Sequence, residues 1–341
     1  MKFSKFPLLV QQEILDVMNM TELFLLTMCS KKIQKLICSM EKKRFDNIIG
    51  IEYLVSSDGD FYIISKTRNQ GVEGFPVVRA LKSHNEFFVS NVLGKQMKII
   101  KSNNNAELAH ENQKDQVIET IHEHLIRVIG SHLILHANLE SGVYLPRLSK
   151  ITSTDIIGDS PLEAKDLDHF LSASPNQESI RVMTKVVGDF SRNSAIFLAK
   201  SVDLECQKCF DLSYFRGKEL IITVEEDPTQ KVEQFLNEWK LNNVCPNLEY
   251  MFITADESSS DLETVDQTGT GNWLREREPH VFRFPTKPHN FIVTQYYVVR
   301  EHDRRVASVS VVSGEFQFGV WDLTEEKFLE ITEWNFDFQI D

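Results

Sequence analysis

Cys206 and Cys209 stand in a CxxC spacing, the arrangement that serves zinc binding or dithiol redox chemistry. A structural zinc site needs a second matched pair, and only Cys245 lies nearby. A redox pair belongs at a strand-to-helix junction in a βαβ unit. The pair therefore reads as two ordinary, partly buried thiols. His132 and His136 are four apart, but they follow Gly130 in the β-leaning run SHLILHANL and read as strand residues. His122 and His124 lack the i, i+4 spacing of a helical metal pair. Thr268-Gly269-Thr270-Gly271 lacks the GK[ST] ending of a phosphate loop. No HExxH, GxSxG or Walker pattern occurs. The expectation is a non-catalytic chain with no metal and no cofactor.

Composition narrows the partners. The chain has 341 residues, 42% of them hydrophobic, and a net charge of −13. Residues 1–44 hold eight Lys/Arg against four Asp/Glu, while the remainder holds 29 against 46. So acidic a body argues against nucleic acid, which calls for a basic face. The basic end, with Lys31, Lys32, Lys35, Lys42, Lys43 and Arg44, is suited to steering an acidic partner. No stretch approaches the ~18 apolar residues of a membrane span. MKFSKFPLL is interrupted by Gln11, Gln12 and Glu13 and does not read as a secretory signal. Five scattered cysteines do not make a disulfide framework. A cytoplasmic or nuclear location is expected.

The elements that must position a binding site begin at the N-terminus. Pro7 suits a helix start, followed by Leu8, Leu9, Ile14, Leu15 and Met18 at helical intervals. Thr21 is the expected N-cap of a second helix carrying Leu23, Leu25 and Leu26. Ser30 caps a third, with Ile33, Leu36 and Ile37 on one side and lysines around the other. These helices are apolar on more sides than a small cluster can cover, and a cluster of this size is poorly stabilised by its own core.

The run Phe6-Pro7, QQEIL, MxxxELxxLTxCSKKxxxLI resembles an F-box, most closely its nematode-expanded branch, over about forty residues. Phe6 replaces the leucine usual before the proline. The resemblance implies binding to a Skp-type adaptor and through it to a cullin. Phe6, Pro7, Leu8, Ile14, Leu15, Leu23 and Leu26 would supply that contact.

Beyond Arg44 the pattern changes to alternation. Strands are expected at 48–55 and 60–65, split by a turn at 57–59, and at 86–93. Residues 94–115 are polar and read as a loop into a helix over 114–129. Apolar runs at 178–187, 194–204, 219–225 and 248–254 alternate with helical patterns at 162–172, 205–212 and 230–241. That alternation resembles an irregular leucine-rich-repeat arc.

Phe235-Leu236-Asn237-Glu238-Trp239 followed by Asn247-Leu248-Glu249-Tyr250 resembles the F-box-associated type-2 domain of nematode F-box proteins. Trp239 is expected in the core. Segments 291–300 and 306–312 predict a hairpin whose turn lacks the family's glycine, and Phe316, Phe318, Val320 and Trp321 predict a last strand. Residues 255–279 are acidic and Ser/Thr-rich and read as a mobile loop.

The expected architecture is α+β / α/β: a three-helix F-box at 1–46, an α/β connecting region at 47–150, and an F-box-associated type-2 domain at 151–341 with a C-terminal β-hairpin. The expected function is the substrate-recognition subunit of a Skp–cullin–F-box ubiquitin ligase, holding an unidentified target protein on the α/β body. The alternative is a binding scaffold that keeps the box-like helices for folding alone.

Overall fold

The computed structural model describes residues 3–56, 60–69, 72–74, 78–80, 87–92, 95–101, 106–110, 114–130, 132–142, 145–208, 210–242, 244–255, 275–283, 291–312 and 314–330. It is mixed α/β, with N-terminal helices followed by a mostly sheet body that ends in antiparallel strands. The chain divides into two compact units, Met1–Gly158 and Asp159–Asp341.

The first unit opens with helices α1 (Leu8–Asp16), α2 (Met20–Cys29), α3 (Lys31–Met40) and α4 (Lys42–Asp46). Pro7 occupies the N-cap of α1. The cap of α2 is Asn19, not Thr21. The Asn19 side chain accepts from the Glu22 N–H at 2.8 Å and the Glu22 carboxylate accepts from the Asn19 N–H at 2.9 Å, a capping box. Thr21 instead faces inward from the first turn of the helix. Ser30 caps α3 as expected, accepting from the Ile33 N–H at 3.2 Å.

The strands follow: β1 (Ile48–Val55), β2 (Phe61–Thr67), β3 (Val72–Gly74), β4 (Val78–Ala80), β5 (Phe87–Val92), β6 (Lys95–Lys101) and β7 (Ala106–His110). Helix α5 (Lys114–Ile129) leads to β8 (Ile134–Glu140) and β9 (Ser153–Ile157). β1 lies between β2, antiparallel, and β8, parallel, and β8 pairs parallel with β9. β6 pairs antiparallel with both β5 and β7. The expectation of a loop over 94–115 is therefore corrected. A polar stretch reads as a loop, but pairing with neighbouring strands holds 95–101 and 106–110 extended whatever their hydropathy. His132 precedes β8 rather than lying in it, while His136 is within the strand.

Alternation along β1 and β2 sends Ile51, Tyr53, Val55, Phe61 and Ile63 inward with Leu135, Ala137 and Leu139 of β8. Helix α5 contributes Ile118, Ile121 and Leu125 to the buried set.

The second unit runs β10 (Leu162–Glu163), α6 (Ala164–Leu171), β11 (Ser179–Val187), β12 (Ser201–Cys206), β13 (Glu219–Val224), α7 (Thr229–Asn242) and β14 (Tyr250–Ala255). It closes with β15 (Arg275–Arg283), β16 (Phe291–Val299), β17 (Arg305–Val312), β18 (Glu315–Thr324) and α8 (Glu325–Glu330). Strands β10 to β14 are all parallel neighbours in chain order. β14 then meets β18 antiparallel, and β17, β16 and β15 continue the sheet antiparallel.

One expected helix and one expected apolar run take another form. Residues 205–212 are the end of β12 and the approach to a 3-10 turn at Leu212–Tyr214. The apolar run at 194–204 breaks into a 3-10 turn at Ala195–Leu198 and the start of β12. Short connections leave room for a single turn, too little for a full helix. Residues 275–279 of the expected acidic loop belong to β15, paired to β16. Ala255 ends β14, while residues 256–274, with Thr268–Gly271, lie outside the described residues, as do the turn at 57–59 and Cys209.

Trp239 is fully enclosed, as its helix pattern predicted, and meets Phe318 edge-on at 5.1 Å. The buried Arg300 guanidinium lies 5.0 Å from the centre of its ring. Arg300 is neutralised by Asp303 at 2.7 Å, so a charge that would be costly alone sits paired against an aromatic face. Gly319 is required where it stands, because a Cβ there would fall 2.4 Å from the Phe282 ring. That ring packs with Tyr250 and Ile292 in a small core under the antiparallel strands.

The β16–β17 turn has no glycine at its left-handed position, which Arg304 fills at φ 61°. The Arg304 side chain pairs with Glu325, the first residue of α8, and Glu325 also takes Arg275 from β15.

Candidate functional site

The seven residues expected to bind an adaptor divide by exposure. Leu15 and Leu23 are fully buried and hold the helices together. Phe6, Ile14 and Leu26 are half-buried, and Pro7 is exposed. Leu8 is 66% exposed and leads an outward patch with Leu9 at 80%, Val10 at 41% and Val17 at 83%. Leu9, Val10 and Val17 are absent from the residues that the sequence singles out for contact. The signal for Leu9 and Val10 is present in the α1 sequence, LLVQQEILD, whose apolar residues occupy more than the one side that Leu15 uses, and Val17 follows directly at the C-cap.

The helix that carries this patch is anchored from behind. Arg44 of α4 donates to the Met18 carbonyl at 3.0 Å and to the Leu15 carbonyl at 3.4 Å, which caps the end of α1. Glu41 is buried, receives Gln12 at 3.2 Å and pairs with Arg44 at 3.5 Å. Arg44 is thus a structural residue, while Lys31, Lys32, Lys35, Lys42 and Lys43 keep exposed side chains around the cluster.

A second anchor comes from α5. Thr27 donates to the Phe24 carbonyl at 2.6 Å, so its oxygen is left to accept from His124 Nε2 at 2.8 Å. His124 is then the Nε2–H tautomer, and its Nδ1 has no partner. Two residues earlier, His122 Nε2 donates to the Ser149 carbonyl at 2.8 Å, and Tyr53 donates to His122 Nδ1 at 2.7 Å. Burial pushes both imidazoles down to about 4 and pushes the Tyr53 hydroxyl up. Both histidines are therefore neutral structural links. The sequence sets His122 and His124 aside as a metal pair but does not show these partners, which lie far off in the chain.

In the second unit, two concavities stand out. One, of about 650 Å³, is lined by Leu248, Phe282, Val320 and Trp321, with Lys218 and Glu249 paired at its edge. The other, of about 680 Å³, opens at the carboxyl ends of the parallel strands, where ligands bind in open α/β sheets. Its floor is aromatic. Phe197 is buried and lies 5.1 Å from Phe210, 5.8 Å from Tyr214 and 6.2 Å from Phe190.

Each loop of this crevice is fixed by a carboxylate. Asp168 of α6 accepts from the Ser191 N–H at 3.1 Å and from the Ser194 hydroxyl. Asp211 accepts from the Ser213 N–H at 3.0 Å, and Asp227 from the Thr229 N–H at 3.0 Å. The sequence showed these aspartates only as scattered acids, because the loops that gather them are far apart in the chain.

The candidate chemistry of the cysteines and histidines does not assemble among the described residues. Cys206 is buried in β12. Cys245 is buried and donates to the Leu212 carbonyl at 3.1 Å, and burial pushes its thiol up to about 12. His136 bonds the Ser153 hydroxyl at 2.6 Å and faces Asp155 at 3.5 Å, both on the neighbouring β9. No group of three or more His, Cys, Asp or Glu among the described residues is arranged to hold a metal ion.

No protein-family model, curated protein or solved structure matches the chain. No helix among the described residues is long and apolar enough to cross a membrane.

Proposed function

We propose that this chain is the substrate-recognition subunit of a Skp–cullin–F-box ubiquitin ligase. It performs no covalent step. Its N-terminal helices hold a Skp-type adaptor, and the unit beyond Gly158, read as an F-box-associated type-2 domain with a leucine-rich-repeat-like run of parallel strands, holds the target protein. Ligase activity then follows from raising the effective concentration of target lysines near the conjugating enzyme.

The observation that carries this reading is the exposed apolar set of Leu8, Leu9 and Val10 on α1 and Val17 at its C-cap, next to helices rich in exposed lysine. Apolar side chains left in water on a helix that buries Leu15 inward favour a docking face. The lysines add electrostatic steering toward an acidic adaptor surface.

The test is co-expression with a Skp-type adaptor. Leu8→Glu with Leu9→Glu should abolish co-purification and leave the thermal midpoint of the chain unchanged, because both side chains are already exposed. Undiminished capture by that variant would end the proposal.

One observation favours the second reading, a scaffold that recruits no ligase. Leu15 and Leu23 are wholly spent on internal packing, and the Thr27–His124 bond ties the cluster to its own unit. A chain that binds targets but captures neither adaptor nor cullin would support it.

A further inference from the structure

Resting on the reading of the second unit as the target-binding part, we propose that the crevice at the carboxyl ends of β11, β12 and β13 receives an arginine side chain from a segment of the target protein.

Three features converge. The first is the floor. Phe190 meets Phe197 and Phe210 edge to face, Phe197 lies tilted against Phe210 and Tyr214, and all but Phe197 keep part of their surface open to the crevice. Aromatic faces of this kind attract a flat, weakly hydrated cation.

The second is the walls. Asp211 and Asp227 each use one carboxylate oxygen to hold their own loop, through Ser213 and Thr229, and the other oxygen has no partner among the described residues. Asp189 makes no hydrogen bond or ion pair among the described residues. Of the basic groups at the crevice, Lys208 is neutralised by Glu226 at 3.5 Å, and only Arg192 and Lys231 remain to offset three open carboxylates.

The third is the wider field. Residues 159–341 carry 18 Lys/Arg against 33 Asp/Glu, a net charge of −15. That field draws cationic segments toward the unit. A guanidinium fits where a simple ammonium fits less well, because it stacks on a ring while its in-plane N–H groups reach the carboxylates. The other large concavity has both its acids paired, Glu249 with Lys218 and Asp322 with Arg305, and shows no such imbalance.

The experiment is selection of random heptapeptides on the purified full-length chain. The enriched sequences should share one arginine. Replacing it with citrulline, which keeps the shape and removes the charge, should weaken binding at least tenfold. Asp189→Asn with Asp227→Asn should weaken it at least fivefold, and asparagine preserves the turn at Thr229. Phe210→Ser should also lose binding, with circular dichroism confirming that the variant is folded. Failure to enrich any peptide, enrichment of sequences without arginine, or equal binding of the citrulline form would overturn the proposal. Adaptor co-purification, measured on the same preparations, reports on the ligase reading separately, since it depends on α1 and not on this crevice.

Discussion

The two units keep their buried polar groups by opposite means. Residues 1–158 carry 19 Lys/Arg and 17 Asp/Glu, a net charge of +2, and the core there encloses two neutral imidazoles, each hydrogen-bonded to a hydroxyl or a carbonyl. Residues 159–341 stand at −15, and the core there encloses a cation, Arg300, held between Asp303 and the face of Trp239. A neutral buried group depends on its proton count. A paired buried cation depends on its partners and on the aromatic surface beneath it. The units should therefore fail under different insults.

The largest expected effect comes from Trp239→Ala. It removes the biggest enclosed side chain and uncovers Arg300, and should cost about 3–5 kcal/mol. Hydrogen exchange should show the loss within 159–341, while adaptor capture through α1 persists. Equal loss of protection in both units would dissolve the contrast.

Acid should act on the other side. His122 and His124 titrate near 6.5 when unfolded and are pushed down to about 4 by burial when folded. Their stabilising contribution is complete above pH 6.5, because both states are then neutral. It declines as pH falls from 6.5 to 4, where the unfolded chain binds protons that the folded chain refuses. The loss should reach about 2–3 kcal/mol for each histidine at most. Denaturant melts across that window should show destabilisation centred in 1–158. His124→Gln, which can still donate to Thr27, should reduce the slope.

The smallest effect sharpens the electrostatic half of the contrast. Lys31→Glu, Lys32→Glu and Lys35→Glu together should slow adaptor association about tenfold at low salt, with little change in dissociation. Stopped-flow rates that ignore both the substitutions and the ionic strength would remove steering from the account.

How much of this was legible beforehand follows from how local each signal is. The 114–129 helix, the helix start at Pro7, the cap at Ser30, the enclosed Trp239 and the 291–312 hairpin all rest on patterns within a few residues. Each appears as expected. The strands at 95–101 and 106–110 were missed because their extended state is set by neighbours across the sheet. The sequence points to Thr21 as the cap of α2, two residues late, because Asn19 and Glu22 form their box just ahead of an equally plausible threonine. For the site, the seven adaptor residues named from the resemblance mixed two roles that only burial separates. The aromatic crevice was invisible because Phe190, Phe197, Phe210 and Tyr214 meet only once three parallel strands are aligned.

The arginine in the left-handed turn at 304 has a consequence for the C-terminal edge. Any residue with a Cβ is disfavoured there by about 1–2 kcal/mol, yet the same side chain grips Glu325. Glu325 in turn ties Arg275 to the start of the terminal helix. Hairpin, outermost strand and helix are thereby fastened by one carboxylate, so that protonating or deleting it should loosen all three at once, like stitches run on a single thread.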